Sequence, residues 1–150
     1  MLTDVMKRLI RENTIALVAT VTPEGAPAVS PKATVAILDD SHLAFCDLRS
    51  PNTTRNIRVN PAVELNFIDV FRRQACRITG TASYASKSEA WFDDLRIHFK
   101  SWDYLSDRMR GIVVIEITRA EHILSPAYDV GAKEEELKAD WLAKYTDIIN

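Results

Sequence analysis

The chain has 150 residues, 47% of them hydrophobic and 27% charged, with a formal net charge of −2. That length and balance fit a single globular domain over residues 1–150, which buries roughly 70% of its unfolded surface and needs no covalent staple. The near-neutral charge argues against a general polyanion binder, so neither nucleic acid nor an anionic membrane surface is an expected partner.

Residues 3–12 predict an amphipathic helix, with Thr3 as N-cap and Val5, Met6, Leu9 and Ile10 at helical spacing. TIALVATVT, residues 14–22, is β-branched and apolar and ends in the turn signal Pro23-Glu24-Gly25. Residues 27–38 predict a second strand, in which Pro31 implies an edge or a bulge. HLAFCD, residues 42–47, predicts a third strand and completes an antiparallel meander. Ser50 as N-cap and Pro51 at the first helical position open a short helix, stopped by Asn60-Pro61. Residues 62–69 and 74–84 predict two more strands, the second with Gly80 as a bulge. Ser86 and Glu89 have capping-box spacing and predict a helix through SKSEAWFDDLRIHF. GIVVIEIT, residues 111–118, predicts a buried sixth strand that EHIL can extend or pair beside, and residues 132–149 predict a last amphipathic helix. Strands with short connections and helices at the periphery imply a barrel or a sandwich.

The four glycines, Gly25, Gly80, Gly111 and Gly131, are too scattered for a glycine-rich phosphate loop. Cys46 and Cys76 lack zinc-ligand spacing, and His42, His98 and His122 lie far apart, so no metal site is expected. The charged N-terminus has no apolar leader and no run approaches the ~20 residues of a bilayer span. A cytoplasmic protein with reduced thiols is the expectation. Trp91, Trp102 and Trp141 read first as core packing, with a dimer interface or a cofactor cover as the alternatives.

The segment Ser50-Pro51-Asn52-Thr53-Thr54-Arg55-Asn56 places hydroxyls, amides and a cation at a helix start. Free backbone N–H groups and the positive end of the helix dipole make such a start a natural phosphate site. Arg49 or Arg55 can add charge there. An ordinary capped helix whose polar residues face solvent is the plainer reading of the same residues. Ser30-Pro31-Lys32 is a second candidate: Pro31 interrupts pairing and frees backbone groups, and Lys32 can neutralise a phosphate. An edge strand protected by proline and lysine is its plainer reading. Arg72-Arg73-Gln74 is the third, with Gln74 able to bond a ligand carbonyl or ring nitrogen.

Taken in order, IALVATVTPEGAPAVSPKATVAILDDSHLAFCD, SPNTTRNIRVNPAVELNFID and RRQACRITGTASY resemble the core of the pyridoxamine 5'-phosphate oxidase-like superfamily, over roughly residues 10–84. The resemblance implies a mainly β chain with peripheral helices, a six-stranded antiparallel Greek-key split β-barrel. It also implies a homodimer with FMN in clefts between the subunits. The matching flavin contacts are Val29, Ser30, Pro31, Lys32 and Ala33 on the second strand. Asp47, Leu48, Ser50, Asn52 and Thr53 match the phosphate end, and Gln74 matches a glutamine that touches the ring. The oxidase's Ser-Arg-Lys phosphate motif is replaced by Pro51-Asn52-Thr53, which exchanges a cationic grip for neutral donors. Its arginine-rich C-terminal substrate segment has no counterpart, so oxidation of pyridoxamine phosphate is not implied. The leading reading is an FMN-dependent oxidoreductase acting on a small redox substrate. The alternatives are a non-enzymatic flavin-binding or electron-transfer protein, and a split barrel that has exchanged flavin for haem, another cofactor or a protein partner.

Overall fold

The computed structural model describes residues 1–150. Helix α1 (Asp4–Glu12) begins where expected, the Thr3 hydroxyl accepting the Met6 N–H at 3.3 Å. Its buried stripe is Met6, Leu9 and Ile10. Strands β1 (Ala16–Val21) and β2 (Pro27–Lys32) form a hairpin turned at Gly25, whose φ of +84° favours glycine.

The predicted strand over 27–38 is interrupted at Ala33-Thr34. Residues beyond the break form β3 (Val35–Ile37), so the sheet has seven strands rather than six. β2 pairs with β1, while β3 pairs with β4 (His42–Asp47). The strand order is β2-β1-β5-β6-β7-β4-β3, with β5 (Ala62–Asp69), β6 (Gln74–Ser86) and β7 (Gly111–Leu124) in the middle. β2 and β3 are consecutive in the chain yet lie at opposite edges of the sheet. The sheet must therefore curl until its edges meet, which makes a barrel with a seam at Ala33-Thr34. The Thr34 carbonyl accepts the Cys46 N–H at 3.2 Å beside that seam. The pairing of β1 with β5 across the chain, all antiparallel, gives the expected Greek-key character.

Alternation along the strands sends Leu43, Phe45, Leu65, Phe67, Ile78 and Ile115 into the barrel, each fully buried. Each such side chain contributes about 1.5–3 kcal/mol relative to exposure. The expected bulge lies between Thr79 and Gly80, where β6 shifts register against β7. A Cβ on Gly80 would sit 2.5 Å from the Glu116 carbonyl oxygen, so only glycine fits. EHIL does extend β7, to Leu124.

The helix after β6 starts later than Ser86 implies. Ser86 ends the strand, and Glu89 is the N-cap of α3 (Ala90–Arg96). Half of the capping box survives: the Glu89 carboxylate accepts the Ser86 N–H at 2.6 Å. A 3-10 segment, Ile97–Arg108, follows. Phe92, Phe99 and Met109 pack with Cys46 and Ile112 into a second, smaller core under this region. Helix α2 (Pro51–Val59) and the C-terminal α4 (Glu134–Ile149) complete the fold, α4 preceded by a short turn over Pro126–Val130. No helix is long and apolar enough to cross a membrane.

Candidate functional site

The turn from β4 into α2 is held by Asp47. One carboxylate oxygen accepts the Ser50 N–H at 3.0 Å and the other accepts the Tyr84 hydroxyl at 2.9 Å. Burial, followed by this hydrogen bond, pushes the Tyr84 hydroxyl up to about 12, so it stays a donor to Asp47. Asp47 thus shapes the site from below rather than lining it.

Ser50 occupies the N-cap position of α2, but its side chain makes no capping bond. The N–H groups of Asn52 and Thr53 have no acceptor within the chain, whereas the Thr54 N–H already bonds the Ser50 carbonyl. The hydroxyls of Ser50 and Thr53 are likewise uncommitted, although both residues are more than nine-tenths buried. These donors face a cleft of about 270 Å³ lined by Ala28, Val29, Ser30 and Lys32 of β2 and by Arg49 to Thr53 and Asn56. Free amides at a helix start, hydroxyls and two cations are a donor set suited to a phosphate.

Lys32 crosses to Ser30, its Nζ donating to the hydroxyl at 2.6 Å. Burial lowers its pKa below the ordinary lysine value, partly offset by the nearby Asp47 charge. Lys32, Arg49 and Ser50 also line a second, adjacent cleft of about 370 Å³, whose other walls are Pro31, Ala33, Thr34, Cys46, Leu48 and residues of the 3-10 segment. The two clefts are therefore neighbours with Lys32, Arg49 and Ser50 in the walls of both, the first polar and the second more apolar. Cys46 is no nucleophile here: burial pushes its thiol up to about 12.

The structure thus brings together Val29, Ser30, Pro31, Lys32, Ala33, Leu48, Ser50, Asn52 and Thr53, with Asp47 beneath them. It does not bring Gln74. That side chain donates to Tyr128 and Glu134 at 3.1 and 2.7 Å and bonds His122 at 3.0 Å, tying the C-terminal segment to the sheet. It borders a different hollow, with Arg73, Arg77 and Leu124. Of the two arginines proposed as cations, Arg49 lines the cleft and Arg55 does not.

Thr20 escapes the sequence reading, and Asn56 enters it only as part of the candidate segment. Asn56 and Thr20 meet beneath the cleft, the Asn56 amide donating to the Thr20 hydroxyl at 3.0 Å. Asn56 is 1% exposed and its Oδ1 has no partner, an orphan that native structures satisfy with water or ligand. The spacing from Asn52 and Thr53 to Asn56 puts all three on one face of α2, which is the signal the sequence offers. The Thr20 contact has no local signal, because it depends on how β1 passes under the helix.

A curled antiparallel barrel with an anion-suited helix start beside its seam defines a split-barrel protein. The chain belongs to the pyridoxamine 5'-phosphate oxidase family, whose model matches residues 2–124. No curated protein matches. Among solved structures it is similar to HupZ of Group A Streptococcus, at 28% identity and a TM-score of 0.70, over 83% of this chain and 96% of that one. A putative pyridoxamine 5'-phosphate oxidase from Lactobacillus delbrueckii shares the fold at 24% identity and a TM-score of 0.68, over 80% and 93% of the two chains. An FMN-binding protein from Syntrophomonas wolfei does so at 12% and 0.65, over 78% and 82%.

Proposed function

We propose that the chain is an FMN-dependent oxidoreductase that holds its flavin across the two neighbouring clefts, at the interface of a homodimer. The observation that carries this reading is the set of uncommitted donors at the start of α2. The N–H groups of Asn52 and Thr53 and the hydroxyls of Ser50 and Thr53 would hold the phosphate, with Lys32 and Arg49 supplying charge. The orphan carbonyl of Asn56 suits a ribityl hydroxyl, which is a donor. The apolar cleft beside Pro31, Ala33 and Leu48 suits the ring. Bound FMN supplies the electron or hydride transfer. The protein's part is to bind, orient and shield it.

The dimer reading rests on the outer face of the sheet. Ile15, Leu17, Val29 and Ile68 are 58%, 40%, 64% and 46% exposed. Leu17 lies opposite Pro31 and beside Asn66, and Ala19 lies opposite Val29, so these residues form one apolar band across β2, β1 and β5. A band of this kind marks an association surface. It is continuous with the clefts, because Val29 and Pro31 belong to both. A two-fold partner covering the band would close the site as well.

The deciding experiment is FMN titration of the purified protein, followed by absorbance and flavin fluorescence. Saturable binding of one FMN per chain is expected. Absence of binding overturns the reading. Oxidation of NADH or NADPH by the loaded protein with an electron acceptor separates an enzyme from a passive flavin carrier.

A further inference from the structure

The apolar cleft has a wall that neither the phosphate site nor the barrel requires. It comes from the 3-10 segment between α3 and β7, which contributes Trp102, Tyr104 and Leu105. The segment is bent twice, at Phe99 (φ −112°, ψ 21°) and at Trp102 (φ −115°, ψ 23°). Phe99 is fully buried in the smaller core, and Trp102 leans on it with ring centroids 5.8 Å apart. Trp102 thus packs against the smaller core, as the sequence predicts, without being enclosed by it. It is a half-buried ring with one side on an anchor.

Tyr104 follows closely. It is 80% exposed and pairs with no other ring in the chain. An aromatic ring left in water beside a cleft forgoes the stabilisation that a flat partner would give it. The facing residues, Pro31, Ala33 and Leu48, are small or aliphatic and leave room for a flat body, while Lys32 and Arg49 stand at the end shared with the phosphate cleft.

We propose that Trp102 and Tyr104 form an aromatic cover over the ring half of the cleft, so that the 97–108 segment determines which flat, conjugated ring system the protein accepts. The inference rests on the flavin reading and extends it: the ring is held between β2 on one side and Tyr104 on the other. Trp102 is the fixed part of the cover and Tyr104 the free part. Both are specificity-determining residues that touch the cofactor ring and take no proton or electron.

The test compares FMN binding to the wild type, Tyr104→Ala and Tyr104→Phe, using calorimetry for affinity and flavin emission as the second readout. Tyr104 is so exposed that its truncation leaves the fold intact, which circular dichroism verifies. A stacked aromatic ring quenches flavin emission, so bound FMN should be dim in the wild type and in Tyr104→Phe. In Tyr104→Ala emission should rise only in part, because Trp102 still lies on the ring, and affinity should weaken roughly three- to tenfold, the value of one aromatic pairing. If FMN binds equally well and equally dimly to Tyr104→Ala, the cover is wrong and the flavin reading stands. If the wild type binds no FMN, the flavin reading fails and the cover fails with it.

Discussion

Ser50 and Thr53 show how few atoms the candidate phosphate site needs. Both residues are largely buried, yet their hydroxyls open onto the cleft and bond nothing within the protein. Ser50→Ala combined with Thr53→Ala should weaken FMN binding tenfold or more, because hydrogen bonds to a charged group are worth about 1.5–3 kcal/mol each. Fluorescence titration measures this, and unchanged affinity would place the phosphate elsewhere. Lys32 adds a pH dependence whose sign follows from its environment. Burial lowers its pKa in the free protein. A bound phosphate dianion favours the protonated form and raises that pKa again. Binding therefore takes up a proton, and affinity should fall as the pH climbs from neutrality towards the ordinary lysine range. Lys32→Met should bind more weakly at pH 7 and show a flatter profile over the same window.

At the scale of elements, the long pair β6 and β7 carries the barrel, and its register changes at a single glycine. Gly80→Ala forces a methyl to within 2.5 Å of the Glu116 carbonyl and 2.7 Å of Ile115 Cγ2. Unfolding in urea should show a loss of about 2 kcal/mol, the cost of overpacking a closed site. This bulge is legible in the sequence because a lone glycine weakens a strand unless a bulge or a close backbone approach requires it. The start of α2 is legible for a similar reason: Ser50, Pro51 and Asn60-Pro61 act through local backbone chemistry. The split of residues 27–38 into β2 and β3 is not, since no residue there is a strong breaker at Ala33-Thr34 and the division is imposed by pairing with β1 and β4. Ser86 misleads because a capping box looks the same when its serine is still part of a strand. The placement of Gln74 is not legible either: a glutamine's partners are tertiary, and here Tyr128 and Glu134 come from a tail more than fifty residues away. The choice of Arg49 over Arg55 likewise depends on which way the helix turns its faces.

For the whole molecule, the apolar band across β2, β1 and β5 is the surface that sets the proposed assembly. Leu17→Glu places a charge at its centre on a side chain that is 40% exposed in the single chain, so folding of the protomer should survive. Sedimentation should show a dimer for the wild type and a monomer for the variant at micromolar concentration. FMN affinity should drop in step, since Val29 and Pro31 link the band to the clefts. A variant that remains dimeric would assign the interface to another face.

The break at Ala33-Thr34 has a consequence for how the molecule is made. Neighbouring strands such as β5 and β6 can pair as hairpins, but joining the first edge to the last requires the two ends of one short stretch to commit to opposite sides of the fold. Such a closing step is non-local and belongs late in folding. The ligand proposed here would grip Lys32 and Ala33 at that very junction. Cofactor supplied during refolding should then act as a latch, raising the yield of closed protein and slowing amide exchange along β3 more than anywhere on β6.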